Sequence, residues 1–154
     1  MNSYRKCAGA IVFNKAKKVL VCARTDTKGY AWQFPQGGIE QNETSEAAAL
    51  RELKEETSIV SVKLVKSLSE PIKYDFPDYV LKQGIGKAFI GQEMYWSLLF
   101  FYGTDSEINL NTKEAEFKAY EWVEPLEAVQ RIVNFKKEAY QKALAEFEIF
   151  IKNY

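Results

Sequence analysis

From Thr44 to Thr57 the chain reads as a helix, and that helix carries three carboxylates on one face. Thr44 is placed to cap it, Glu46 falls in the first turn, and Ala47, Ala48, Ala49, Leu50 and Leu53 are strong helix formers. Glu52, Glu55 and Glu56 stand at i, i+3 and i+4, so they project from the same side. Like charges at that spacing repel. The fold must therefore set something positive among them or leave the face in water. Clustered hard oxygen ligands suit Mg²⁺ or Mn²⁺, and a diphosphate is the natural counter-ligand of such an ion. For these residues taken alone, a solvated acidic face with Arg51 and Lys54 as partners is the alternative.

Around this helix the chain reads as mixed strands and helices. Cys7 to Phe13 and Lys18 to Ala23 have the composition of strands, and the polar Asn14 to Lys18 run suits a hairpin loop. Gly29 to Gly38 is loop-like, with Pro35 and the Gly37-Gly38 pair as breakers. Ile59 to Leu68, Glu93 to Tyr102 and Ala119 to Val123 read as strands. Pro125 to Arg131 and Phe135 to Lys152 read as helices, the last with Phe135, Ala139, Leu144, Phe147 and Ile151 at near-helical spacing. Pro71 to Gln92, holding Pro77, Gly84, Gly86 and Gly91, reads as one long loop, a length usual for functional or mobile segments. This order predicts an α+β or α/β sandwich.

The totals narrow the chemistry. A length of 154 residues fits one domain, and 47% hydrophobic residues suffice for a sizeable core. The formal net charge is zero, so no whole-protein attraction draws the chain to nucleic acid or an anionic membrane. It has no His, which removes Ser-His-Asp and Cys-His nucleophiles, a His base and His-ligated zinc. Carboxylates, Lys, Tyr or a metal must then move protons. Cys7 and Cys22 cannot make a disulfide framework or a four-ligand metal site. They read as reduced core thiols, with a facing pair on neighbouring strands left open. No apolar run reaches membrane-spanning length, and the first residues lack a signal peptide's apolar stretch. A cytoplasmic protein without a membrane partner is expected.

The segment Gly37 to Ile59, GGIEQNETSEAAALRELKEETSI, resembles the motif of the Nudix hydrolases. Gly37, Glu43, Arg51, Glu52, Leu53, Glu55, Glu56 and Ile59 stand at that motif's positions. Ser58 stands where the family has a Gly that ends the helix in a left-handed conformation. The resemblance implies a Nudix α/β/α sandwich with a mixed central sheet over residues 1–154. It also implies that Glu52, Glu55 and Glu56 bind divalent ions, two or more of Mg²⁺ or Mn²⁺. Glu43 would pair with Arg51. Gly37 and Gly38 would let the backbone approach the metal, and a carbonyl there, that of Gln36, would complete the coordination.

Further segments resemble one branch of the family: the bacterial RNA 5′-pyrophosphohydrolases together with the plant and bacterial-type dinucleoside polyphosphate hydrolases. They are AWQFPQGGIE at Ala31 to Glu40, YRKCAG at Tyr4 to Gly9, YDFP at Tyr74 to Pro77, Gly91-Gln92 followed by Trp96, EINL at Glu107 to Leu110, and VNFKKEAY at Val133 to Tyr140. That resemblance implies that Glu116 is an extra carboxylate that binds metal or orients the attacking water. It places Arg5, Arg24 and Lys136 on phosphates or base, and Tyr74 and Phe135 in the base pocket. The branch has basic residues after Gly91-Gln92, where this chain has Glu93, Met94 and Tyr95.

The activity implied is a metal-dependent pyrophosphohydrolase that removes pyrophosphate from the 5′-triphosphate end of RNA and/or cleaves dinucleoside polyphosphates. Glu52, Glu55, Glu56, Glu116 and Arg51 would form its catalytic set. The alternatives are a dedicated asymmetric diadenosine tetraphosphate hydrolase giving ATP and AMP, and a non-catalytic nucleotide-binding module on the same fold. The partner is a nucleotide or an RNA 5′ end, with no stable duplex binding expected.

Overall fold

The computed structural model describes residues 3–82 and 89–154. Gly84 and Gly86 lie outside the described residues. Strand β1 spans Tyr4–Phe13, β2 Val19–Arg24, β3 Trp32–Gln33 and β4 Gln36–Gly38. Helix α1, Ser45–Thr57, follows, then β5 Val62–Ser67, β6 Ile72–Asp75 and a short α2 at Asp78–Lys82. Strand β7 runs Gly91–Phe101, β8 Phe117–Val123, and the chain closes with α3 Pro125–Arg131 and α4 Asn134–Lys152.

The sheet is mixed. Strands β1 and β7 run parallel from Tyr4 beside Gly91 to Phe13 beside Phe100, and the other pairings are antiparallel. Alternation sorts side chains between two cores. Cys7, Ile11, Phe13, Val19, Val21, Met94, Trp96 and Leu98 face α3 and α4, where Tyr140, Ala143, Leu144 and Phe147 bury against them. Ala8, Ala10, Val12, Leu20, Cys22 and Leu99 face α1 through Ala48, Ala49 and Leu53. Helices therefore cover both faces, giving the expected α/β/α layering. Cys7 and Cys22 are free and buried in opposite cores, so they do not face each other.

Two segments read as loops are ordered into the sheet. Within Gly29 to Gly38, β3 pairs with β2 and β4 pairs with β1. Pieces of two and three residues carry no periodicity that could announce them; pairing partners distant in sequence create them. Within Pro71 to Gln92, β6 pairs with β7 and Asp78–Lys82 is helical, so the segment is not one long loop. Strand β1 also starts three residues earlier than its apolar run, because β7 extends alongside polar Tyr4, Arg5 and Lys6.

The splay of β1 and β2 positions the site. They pair at Phe13 and Val19, next to a tight turn in which Lys17 takes φ 65°. Farther along, β4 takes the place beside β1, with Cys7 opposite Gly38 and Gly9 opposite Gln36. A gap opens between β1–β4 on one side and β2–β3 on the other. No helix among the described residues is long and apolar enough to cross a membrane.

Candidate functional site

Helix α1 is fixed at both ends. The Thr44 hydroxyl accepts the Ala47 N–H at 3.1 Å. At the other end Ser58 adopts φ 69° and ψ 5°, and its N–H donates to the Lys54 carbonyl at 2.9 Å. The left-handed conformation costs a non-glycine residue about 1 kcal/mol. Here the Ser58 hydroxyl donates to the Asn109 carbonyl at 2.9 Å, a bond Gly could not make. With Ala48, Ala49 and Leu53 buried, the adjoining face of α1 directs Glu52 and Glu56 inward and leaves Glu55 exposed.

Arg51 organises the acidic residues. Its guanidinium makes a two-point contact with Glu43, Nε to Oε2 at 2.8 Å and Nη2 to Oε1 at 2.9 Å. The same Nη2 donates to the Gly38 carbonyl at 2.9 Å, and Nη1 donates to Glu52 Oε1 at 2.7 Å. Glu55 lies 3.5 Å from Nη1 at the rim. Glu43 also accepts the Glu40 N–H at 2.9 Å. The Arg51 hydrogen bonds, then the backbone bond, hold the Glu43 carboxyl down at about 2. One fork thus ties the loop after β4 to the helix and aims Glu52.

The glycines of β4 make room for charge. A β-carbon on Gly37 would collide with the Glu52 carboxylate, and one on Gly38 would sit 2.6 Å from the Arg5 guanidinium. Beyond Glu52, Glu56 is 2% exposed, and neither of its carboxylate oxygens has a hydrogen-bond partner among the described residues. Burial first, then the neighbouring Glu116 and Glu52, pushes its carboxyl up to about 10. The Gln36 backbone N–H approaches and favours the charged form without completing a hydrogen bond. Burial also raises Glu52, against the pull of Arg51.

A buried carboxylate with two idle oxygens, beside two more carboxylates, is costly unless a proton or a cation neutralises it. Among the described residues no three acidic or thiol groups already converge as a closed cage. The oxygen-only donor set of Glu52, Glu56 and Glu116 nevertheless fits a hard divalent ion, whose attraction would draw them together.

Two clefts meet at this wall. One, of about 720 Å³, is lined by Glu52, Glu55, Glu56, Lys113 and Glu116. The other, of about 420 Å³, fills the gap between the splayed strands and is lined by Arg5, Arg24, Gln33, Gln36, Glu52 and Glu116. Glu52 and Glu116 belong to both, so the carboxylates stand across from two guanidiniums. Arg24 is held by Asp26, Nε to Oδ1 at 2.8 Å, and reaches Gln33 Oε1 at 3.3 Å. Lys136 is buried and donates to that same Gln33 oxygen at 3.2 Å. Burial, reinforced by the Arg24 charge, lowers its pKa to about 8.

Tyr74 and Phe135 line a groove that adjoins the Arg5 and Arg24 cleft. Their ring centroids are 5.9 Å apart, and the groove, of about 530 Å³, is also lined by Tyr4 and Lys73. Tyr74 is linked to the cleft through hydrogen bonds. Its hydroxyl donates to Gln92 Oε1, Gln36 Nε2 donates to the same oxygen at 3.1 Å, and the Tyr140 hydroxyl donates to Gln36 Oε1. The side chain of Gln36 is therefore committed to this network.

Gln33, Asp26, Gln92 and Tyr140 were not among the site residues expected from sequence. Gln33 and Tyr140 carry weak signals, a polar residue inside a buried strand and a Tyr on the core stripe of a helix. Gln92 stands in the Gly91-Gln92 match quoted above, and Asp26 carries no signal without a partner in view. The departures on β7 are now placed: Met94 fills the core, while Glu93 pairs with Lys73 at 3.8 Å and accepts the Tyr95 hydroxyl at 2.8 Å.

Comparison with known proteins identifies the family and the fold. Residues 3–143 match the NUDIX domain family. The RNA pyrophosphohydrolase of Sphingopyxis alaskensis is 41% identical over 146 residues, 94% of this chain and 92% of that protein. The RNA pyrophosphohydrolase of Zymomonas mobilis subsp. mobilis is 42% identical over 146 residues, 94% of each. Among solved structures, the E. coli dihydroneopterin triphosphate pyrophosphohydrolase superposes with a TM-score of 0.68 at 20% identity, covering 92% of this chain and 97% of that one. The motif helix, its Arg51 fork and the match along nearly the whole length lead to one conclusion: the chain belongs to the Nudix family.

Proposed function

We propose that this protein removes pyrophosphate from the 5′-triphosphate end of RNA, with divalent ions held by Glu52, Glu56 and Glu116. Glu55 and the Gln36 carbonyl stand by as further ligands. The observation that carries the reading is the shared wall. Carboxylates that call for a cation face Arg5 and Arg24 across a cleft open to a phosphate chain. The curated relatives at about 40% identity carry the name RNA pyrophosphohydrolase. Their bacterial origin, with Cys7 and Cys22 unpaired, supports a cytoplasmic setting.

When bound, Mg²⁺ or Mn²⁺ would neutralise phosphate charge and make water a stronger acid. The chain supplies the rest. Arg5 and Arg24 bind phosphate oxygens, Arg24 prealigned by Asp26. Lys136, through Gln33, adds positive charge beneath them. Arg51 fixes Glu52 in one orientation. Glu116, at the exposed rim, accepts the proton as a water oxygen attacks phosphorus. The phosphoanhydride P–O bond breaks, and its oxygen leaves with the pyrophosphate. With no His in the chain, a carboxylate is the base this wall offers.

Asymmetric cleavage of diadenosine tetraphosphate to ATP and AMP is a second reading. The β7 charge pattern favours it: Glu93, Met94 and Tyr95 follow Gln92 and bring no cation for an RNA backbone phosphate. The experiment is turnover of triphosphorylated RNA and of diadenosine tetraphosphate in one Mg²⁺ buffer, with products identified. Faster release of pyrophosphate from RNA is expected; a strong preference for the dinucleotide would overturn the RNA reading. Absence of turnover on both would leave the nucleotide-binding module.

A further inference from the structure

Strand β3 and the residues just before it, across the cleft from β7, carry an aromatic pair outside the site described above. Tyr30 is 65% exposed and stacks on Trp32, with ring centroids 5.7 Å apart and planes within 14°. The Lys118 ammonium lies 5.0 Å from the Tyr30 centroid, and Arg131 lies 5.1 Å from that of Trp32. Arg131 is already engaged by Glu121 and Glu127. Lys118 makes its hydrogen bond to a neutral acceptor, the Thr27 carbonyl at 3.1 Å, so its charge is available to an anion.

The pair is joined to the cleft through short connections. Trp32 precedes Gln33 of the cleft wall, Lys118 is two residues from Glu116, and the Arg24 N–H donates to the Ala31 carbonyl at 3.0 Å. An exposed, stacked aromatic surface flanked by an ammonium with no carboxylate partner among the described residues is suited to a single-stranded nucleic acid. Rings take bases face to face, and the cation takes the intervening phosphate. A protein-binding patch of this kind would not need the cation, and an ordinary core aromatic would not leave the ring in water. On the other side of the cleft, β7 carries Glu93, Met94 and Tyr95 after Gln92 and adds no cation there, which makes it the poorer track for a phosphodiester backbone.

We propose that Tyr30, supported by Trp32 and flanked by Lys118, is a subsite for RNA nucleotides downstream of the 5′ end. The subsite rests on the RNA reading above and adds the direction in which the chain leaves the cleft. A base stacks on the open area of Tyr30, and the Lys118 ammonium moves from the ring to the phosphate beside it. No covalent step is involved. Its effect is on affinity for longer RNA, not on the bond-breaking step.

The test uses the full chain, its Tyr30→Ala, Tyr30→Phe and Lys118→Ala variants, and two triphosphorylated substrates, a dinucleotide and a single strand of about eight nucleotides. Binding of a 5′-monophosphate strand of the longer length is measured in parallel without divalent ions. Tyr30→Ala is expected to weaken longer-strand binding and raise its KM about tenfold, leaving kcat and the dinucleotide unchanged. Tyr30→Phe should bind like the parent, and Lys118→Ala should flatten the salt dependence. The subsite is overturned if the parent does not bind the longer strand, or if Tyr30→Ala changes both substrates equally or neither. If the parent cleaves no triphosphorylated RNA yet binds the longer strand through Tyr30, the RNA activity falls and the subsite stands.

Discussion

The carboxylate of Glu52 occupies the space that a β-carbon on Gly37 would fill. Strand β4 and helix α1 thus approach to a distance that only glycine permits. Gly37→Ala should push Glu52 off its hydrogen bond to Arg51 and lower kcat/KM about a hundredfold. Because the displaced group is a cleft side chain, the thermal melting curve should move little. Kinetics and melting measured on one preparation separate the two effects, and unaltered turnover would show that the Glu52 position is unimportant.

Glu56 offers a metal test that does not depend on turnover. Its carboxyl is pushed up to about 10 by burial and by Glu116 and Glu52, so near neutral pH it is protonated without a cation. Glu56→Gln copies that neutral form and should keep stability within about 1 kcal/mol in chelator. Saturating Mg²⁺ should raise the parent's melting temperature and leave the variant's nearly fixed. Hydrolysis by the variant should be nearly abolished.

The Arg51–Glu43 fork sets an acid limit. The Glu43 carboxyl is held at about 2 against an ordinary 4.5, so the folded state binds its proton less readily than the unfolded chain. The contribution is complete above 4.5 and is lost as pH falls toward 2. Glu43→Gln should lower stability at neutral pH and flatten the loss between those values. Denaturant unfolding across that range measures it; an equally steep acid limb in the variant would remove Glu43 from the account.

Ser58 holds a glycine's conformation and gains a hydrogen bond in exchange. Ser58→Ala keeps the strain and loses the bond, so it should cost about 1 kcal/mol. Ser58→Gly loses the bond and relieves the strain, and should fall within about 1 kcal/mol of the parent. Chemical denaturation ranks the three proteins. Ser58 lines neither of the two clefts, so kcat should be unchanged in both.

Tyr140 donates its hydroxyl to Gln36 Oε1 from within the core. Tyr140→Phe would leave that oxygen short of a donor, at a cost of about 1–3 kcal/mol. The adjoining Gln36 N–H, which faces Glu56, should then shift. A kcat reduced several-fold with KM unchanged is the expected signature; a change confined to KM would place Tyr140 on the substrate instead.

Much of this protein is legible in one dimension. The helix Ser45–Thr57 follows from a Thr cap, an alanine run and a Leu stripe, because helix formation is local. The i, i+3, i+4 carboxylates follow from helical pitch alone. The missing histidine restricts the proton chemistry before any fold is known. The long strands and both C-terminal helices are equally visible in their apolar patterns, apart from a residue or a few at each end.

Short and polar pieces are different. Strands β3 and β4 exist because β2 and β1 supply hydrogen-bond partners outside the segment, while Pro35 and the Gly37-Gly38 pair speak locally for a loop. The same cause decided the site's surroundings. Only the splay of β1 from β2 sets Arg5 and Arg24 opposite Glu52 and Glu116, and Gln33 became a shared acceptor for Arg24 and Lys136 through the same packing. The sequence by itself determined the helix, its charges and the chemistry open to them, since those depend on near neighbours. The tertiary structure alone decided which charges meet, which carboxylate is buried, and where Tyr30 and Trp32 stand, since non-local pairing and burial set all three.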